Sequence, residues 1–204
     1  VDYQVGSILN CGNHAHSAEK WHEFITGIQK HAARKASGIP VLYGVDAIHG
    51  PTYTAEAVLG PLQIGLAATW NESLVRKNAA ATAEQVAACG IPWNFSPVLD
   101  LGRDPRWPRF WETFGEDPLL DSRLGVAMVE GYQNGDVQFA ATLKHFFGYG
   151  FSLSGKDRTP AWIPERELRL YFLPSFQAAI DAGAPEAAPP RSRDPPLSLS
   201  SSPD

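Results

Sequence analysis

Apolar and polar positions alternate along this chain in two rhythms. Short apolar runs at Gly6–Leu9, Val41–Val45, Pro92–Leu99 and Phe139–Leu143 read as strands. Pro92 and Pro97 blur the limits of the third run, because proline cannot donate to a strand ladder. Between the runs lie segments of helical period. Trp21, Phe24, Ile25 and Ile28 fall on one face of a predicted helix, Ala18–Ala36. The alanine-rich stretch Glu72–Cys89 predicts a second, opened by a capping box of Thr69 and Glu72. Its small side chains would allow close approach to a sheet. Leu119–Asn134 and Pro164–Ala182 complete the set, the last with proline at its first position. Strand and helix thus alternate, the pattern of an α/β protein with parallel strands. A closed barrel of this kind needs eight such units and only about four are present. The sheet is expected to be open, or the chain to be a piece of a barrel.

The last stretch, Pro185–Asp204, loses both rhythms. It holds six prolines and five serines and no aromatic residue. Such a segment cannot bury enough surface to offset its ordering entropy and is expected to lack regular structure. It reads either as a natural linker or as a frame foreign to the preceding domain. The second is favoured, because the fold is unfinished where the tail begins. The expected division is therefore residues 1–184 as a domain and 185–204 as a tail.

Composition narrows the functional classes. A net charge of −5 supplies no basic footprint for nucleic acid or an anionic membrane. No apolar run approaches the roughly 18 residues needed to span a bilayer. Cys11 and Cys89 stand too far apart in a two-cysteine chain to form a disulfide framework or a zinc pattern, and read as small apolar residues. No phosphate-binding glycine loop, nucleophile elbow or metal cluster is present, so no cofactor is expected. His14 and His16 read as isolated and exposed, and His49 as a loop-packing residue.

The chemistry concentrates where strands end. In parallel barrels the carboxyl ends of the strands carry the site. Asp46 follows the second predicted strand, Asp100 the third, and Lys144 and His145 the fourth. Three ionisable strand ends in register point to a polar cleft. A carboxylate such as Asp46 suits a pair of hydroxyl donors, and equally a turn cap. Downstream of Asp100, Arg103, Arg106 and Arg109 fall within seven positions, interleaved with Trp107, Phe110, Trp111 and Phe114. Arginine forks hold hydroxyls or carboxylates, and aromatic faces stack on sugar rings. Basic and aromatic residues together also suit single-stranded nucleic acid, but the neighbouring carboxylates dilute the charge. Arg103 or Arg106 is expected to pair internally with Asp104 or Glu116.

Four blocks, Gly44–Gly50 (GVDAIHG), Gly102–Trp107 (GRDPRW), Glu112–Pro118 (ETFGEDP) and Lys144–Gly150 (KHFFGYG), resemble glycoside hydrolase family 3, the β-glucosidase and exo-β-glucanase family. They stand in the family's order and span most of residues 1–184; the tail does not match. The resemblance implies a partial (β/α)8 TIM-type barrel, incomplete at both ends. It implies retaining hydrolysis of terminal β-D-glucosyl residues, with β-linked glucosides or oligosaccharides as partners. Carried over by motif, Asp46, Arg109, Lys144 and His145 grip the sugar in the −1 subsite, with Arg158 a further candidate. By family analogy the setting is periplasmic or secreted; oligomeric state is not implied.

Departures from the family pattern matter. Pro108 and Cys11 stand where glycine is usual. The family nucleophile, an aspartate in a Ser-Asp-Trp type motif, has no counterpart after His145, and the acid/base usually comes from a later domain. Retaining hydrolysis needs two carboxyls about 5–5.5 Å apart. The expectation is a chain that carries the sugar-binding half without nucleophile or acid/base. A non-catalytic carbohydrate-binding fragment and a non-functional translation product remain alternatives. A β-N-acetylhexosaminidase of the same family is a further one, disfavoured because Tyr149 occupies the place of that subgroup's histidine.

Overall fold

The computed structural model describes residues 5–10, 14–34, 38–184 and 187–188. Strand β1 (Ser7–Leu9) pairs in parallel with β2 (Leu42–Val45), and β2 with β3 (Trp93–Asn94). The ladder continues in parallel from Trp93 to Ala140 and from Val98 to Lys144, reaching β4 (Leu143–Lys144). A last short strand, β5 (Ala187–Ala188), pairs in parallel with β4. Strand order therefore follows chain order, the arrangement produced when each strand returns through a helix on one face.

The third and fourth expected strands are interrupted. Residues 92–99 and 139–144 run side by side through bonds such as Thr142 N–H to the Ser96 carbonyl (3.0 Å) and Leu99 N–H to the Lys144 carbonyl (2.6 Å). Regular strand is limited to Trp93–Asn94 and Leu143–Lys144. Pro92 and Pro97 bracket the third segment and remove two ladder donors. β5 begins beyond the expected end of the domain at residue 184. The rest of the predicted tail lies outside the described residues, as does Cys11.

Helices α1 (Ala18–Ala32), α2 (Gln63–Ala67), α3 (Glu72–Ala88) and α4 (Pro118–Gln133) pack outside the strands. The cap of α3 differs from expectation. Asn71, not Thr69, caps it, its Oδ1 accepting from Leu74 N–H at 3.1 Å. Thr69 serves the preceding turn, donating to the Leu66 carbonyl and accepting from Asn71 N–H. Asn71 is the residue directly before the first helical turn, so its shorter reach suits the N3 amide. The small residues of α3 are used chiefly against α4. Gly131 of α4 sits so close that a methyl group there would lie 2.3 Å from the Arg76 carbonyl and 2.7 Å from the Ala79 methyl. Arg76 with Glu130 and Arg123 with Glu72 tie the same two helices at their surface.

The final predicted helix is composite. A short turn, α5 (Glu165–Glu167), leads into a π-helical segment, Leu168–Phe172, and then into α6 (Leu173–Asp181). Pro164 is its cap and not its first helical residue. Pro174 supplies the reason for the break, because its ring cannot sit on the preceding turn of a regular α-helix and it has no N–H to donate. The core between helices and strands is built from Trp21, Tyr43, Val45, Leu66, Val75, Leu99, Phe114, Leu124, Met128, Tyr132 and Phe176, all essentially buried.

Candidate functional site

Side chains from the ends of four strand segments meet at one rim. β1 runs directly into Asn10, whose backbone adopts φ +50°. Asn10 and Asp46 hold each other reciprocally: Asn10 Nδ2–H donates to Asp46 Oδ2 at 2.8 Å, and Asp46 N–H donates to Asn10 Oδ1 at 2.8 Å. The Tyr43 hydroxyl donates to the Asn10 carbonyl from β2. The other oxygen of Asp46 accepts from Lys144 Nζ at 2.6 Å. Asn94, at the end of β3, braces the segment after Asp46 by bonding both the N–H and the carbonyl of Ala47. Asp46 therefore presents a fixed carboxylate that is still 28% exposed, while the Lys144 side chain is only 5% exposed. Burial pulls the Lys144 ammonium below its usual range, and Asp46 opposes that effect.

Lys144 and His145 are joined by a cis peptide bond. Their side chains serve two linked clusters. His145 Nδ1 lies 2.6 Å from Asp100 Oδ2, which also accepts His145 N–H at 3.0 Å; Asp100 Oδ1 accepts Gly150 N–H at 3.3 Å. Gly150 fits there because a methyl group would lie 2.7 Å from the Leu101 carbonyl. Across the ring, His145 Nε2 lies 2.7 Å from Arg109 Nη1. A guanidinium can only donate, so Nε2 accepts and the proton sits on Nδ1, toward Asp100. His145 is thus neutral. Burial first, and then the nearby Arg109 and Lys144 charges, hold its pKa below the usual histidine value against the pull of Asp100.

Arg109 is clamped on its other side by Glu112, through Nε at 3.0 Å and Nη2 at 2.6 Å to Oε2. Its Cζ stands 5.9 Å from the centre of the Tyr149 ring. Glu112 belongs to a 3-10 turn, Phe110–Glu112, that starts immediately after Arg109. Pro108 does not displace Arg109 from this cluster.

The sequence-derived candidates fall into two groups. Asp46, Lys144, His145 and Arg109 are brought together through direct bonds. Arg158 is not bonded to them; its side chain is 67% exposed and its nearest ionic partner is Asp157 at 3.7 Å. Asp100, read as a strand-end carboxylate, is fully buried with both oxygens engaged. Arg106 pairs with Asp104 at 2.7 Å, as expected of that loop. Arg103 instead stacks between Phe151 and Tyr171, 5.5 and 5.4 Å from the ring centres. His16 is not isolated: its ring meets Trp21 edge-on at 5.6 Å. Asn10, Asn94 and Glu112 escaped the sequence reading as site-building residues. Asn10 carried a usable signal, since it follows a predicted strand just as Asp46 does.

The arrangement offers a carboxylate acceptor, a buried ammonium and a guanidinium at one rim, with a neutral imidazole between them. Such a set matches vicinal hydroxyls, which both donate and accept.

The model of the glycosyl hydrolase family 3 N terminal domain matches residues 1–188. A lysosomal beta glucosidase of Dictyostelium discoideum is 44% identical over 201 residues, covering 89% of this chain and 24% of that protein. Among solved structures, a beta-glucosidase from Listeria innocua in complex with glucose superposes with a TM-score of 0.78 at 38% identity, over 89% of this chain and 24% of that one. An exo-1,3/1,4-beta-glucanase from a Pseudoalteromonas species gives 0.84 at 34% identity, over 91% and 25%. The chain spans about a quarter of the length of these proteins. It belongs to glycoside hydrolase family 3 and has the α/β fold of that family's N-terminal domain.

Proposed function

We propose that the rim holds the terminal glucosyl unit of a β-linked glucoside in a −1 subsite. Asp46, Lys144, Arg109 and His145 are its direct contacts, and Arg158 is an outlying cation at the margin. The observation that carries this reading is the convergence of Asp46, which follows β2, with Lys144 and His145 at β4 and Arg109 from the loop before the 3-10 turn. The domain is read as part of a (β/α)8 barrel, and the whole protein's reaction as retaining hydrolysis of β-glucosides. The Listeria innocua relative bound to glucose lends support to the substrate class.

This chain supplies binding and not bond cleavage. Asp100 is buried and committed to His145 and Gly150. Asp46 already has Lys144 and Asn10 on its two oxygens. Loss of the leaving group builds positive charge on the sugar, and a retaining enzyme captures that carbon with a free carboxylate. Lys144 and Arg109 have the wrong sign for that task.

Two measurements on the chain test the reading. Glucose titration should give saturable binding with a Kd on the order of millimolar, lost in Asp46→Ala. Incubation with p-nitrophenyl β-glucoside should release no nitrophenolate above background. Absence of glucose binding would sink the subsite. Turnover would mean that a carboxylate present here, Asp157 or Asp100, acts as nucleophile.

A further inference from the structure

The segment after Gly155 reaches the cleft through a residue other than Arg158. Asp157 Oδ1 accepts two hydrogen bonds, one from Trp107 Nε1 at 3.1 Å and one from the Tyr149 hydroxyl. Trp107 is 1% exposed, so one donor is anchored in the core. The Tyr149 ring lies edge-on to Trp107, at 5.3 Å and 84°, and to His145, at 4.8 Å and 66°. The same ring stands beneath the Arg109 guanidinium. We propose that Asp157 is a positioning residue of the cleft: by pinning the Tyr149 hydroxyl it fixes the ring against which Arg109 and His145 are set. As a statement about sugar binding, this rests on the subsite reading above.

The physical case is one of restraint. A tyrosine ring held only at its Cβ end can swing, and the cation resting on its face moves with it. Tying the hydroxyl at the far end to an oxygen already fixed by a buried tryptophan removes that freedom. Arg109 is then held by three partners: the Glu112 carboxylate, the His145 ring and the Tyr149 face. Burial, with Asp157 alongside, pushes the Tyr149 phenol up to about 12, so it remains a donor at any physiological pH. Asp157 is an acceptor in this scheme, and its charge is secondary. That distinguishes it from a residue that acts by electrostatics.

The test uses the full chain and the side-chain nitrogen resonances of His145, assigned by their loss in His145→Asn. The groups facing this ring among the described residues are Asp100, Arg109, Lys144 and Tyr149. In the unaltered chain the proton should sit on Nδ1 and the ring should stay neutral below the ordinary histidine value. Asp157→Ala and Tyr149→Phe should each loosen Arg109 from Nε2 and raise the titration midpoint by about one pH unit. The double variant should do no more than either alone. Asp157→Asn keeps the acceptor oxygen and should behave as the unaltered chain.

Folded Asp157→Ala and Tyr149→Phe chains with an unchanged His145 titration would overturn the proposal. So would an Asp157→Asn chain that behaves like Asp157→Ala, since charge and not acceptor geometry would then matter. Should Asp157→Ala fail to fold, Tyr149→Phe, which keeps the ring and its packing, carries the test alone. A glucose titration of the same chains separates the two readings. Asp157→Ala should weaken glucose binding about tenfold. Shifted His145 titrations without glucose binding by the unaltered chain would uphold the Asp157 linkage and reject the sugar subsite.

Discussion

At the scale of single residues, the ion pair between Asp46 and Lys144 is unequal. Lys144 is almost wholly enclosed, whereas Asp46 keeps 28% of its side-chain surface and a second partner in Asn10. Removing one member of a buried pair costs most when the charge left behind is the buried one. Asp46→Ala should therefore destabilise the chain by about 2–4 kcal/mol, since it strands the Lys144 ammonium. Lys144→Met, which fills the same space without charge, should cost only about 1–2 kcal/mol, because Asp46 retains Asn10 and water. Urea unfolding of the two variants checks the order; equal losses, or the reverse order, would contradict this account of burial. His145 illustrates another residue-scale point. Its identity was legible in the sequence, but its neutral state follows only from having a carboxylate on one nitrogen and a guanidinium on the other.

At the scale of elements, the contact between α3 and α4 is the closest helix approach the glycines record. Glycine within a helix ordinarily costs about 1 kcal/mol relative to alanine. At Gly131 that gain is unavailable, because the new methyl would meet a backbone carbonyl at 2.3 Å that no rotamer change can move. Gly131→Ala should lower stability by about 1–3 kcal/mol through overpacking. Gly27 in α1 is the internal control, with nothing among the described residues within 4 Å of a methyl at that position. Gly27→Ala should raise stability by about 0.5–1 kcal/mol. Thermal melting of both variants reads the contrast directly. A gain at both positions would mean that α3 and α4 can separate at little cost.

At the scale of the whole molecule, two buried groups bend the dependence of stability on pH in opposite senses. Asp121 of α4 is fully buried, and among the described residues neither oxygen finds a partner of full hydrogen-bond geometry, although the Ser175 hydroxyl lies near it. Burial raises its pKa well above that of an ordinary aspartate. In the unfolded chain Asp121 ionises above about 3.8 while the folded chain keeps it protonated. The stability it permits is thus complete below that value and is lost as pH rises toward the folded pKa. His145 acts in the other direction. Its folded pKa lies below 6.5, so the unfolded state takes up the proton first and stability falls as pH drops beneath 6.5. Asp121→Asn removes the first effect and leaves the second. The variant should exceed the unaltered chain in stability at pH 7, with the difference shrinking toward pH 4. Urea midpoints at the two pH values provide the measurement, and a difference that does not change with pH would remove Asp121 from the account.

The amino-acid order determined the rhythm of this molecule. Hydrophobic periodicity reports local geometry, and so α1, α3, α4 and the α/β alternation were readable from residues close in sequence. Asp46, Lys144 and His145 were readable for the same reason, because a polar residue ending an apolar strand is a local event. What depended on contacts distant in sequence was not. Two local choices between near-equivalent options also escaped the sequence reading: the cap of α3 went to Asn71 by a difference in reach, and the π-helical turn before Pro174 answers to a lost donor within a packed helix. The pairing of Lys144 with Asp46 joins residues 98 apart, and that of Trp107 with Asp157 joins residues 50 apart. Only the tertiary structure decided that Asp100 serves His145, that Arg109 is clamped by Glu112, and that Asp157 binds the Tyr149 hydroxyl while Arg158 faces solvent. A sequence records which charges and hydroxyls exist; which of them share an oxygen is settled when the parallel strands align their ends.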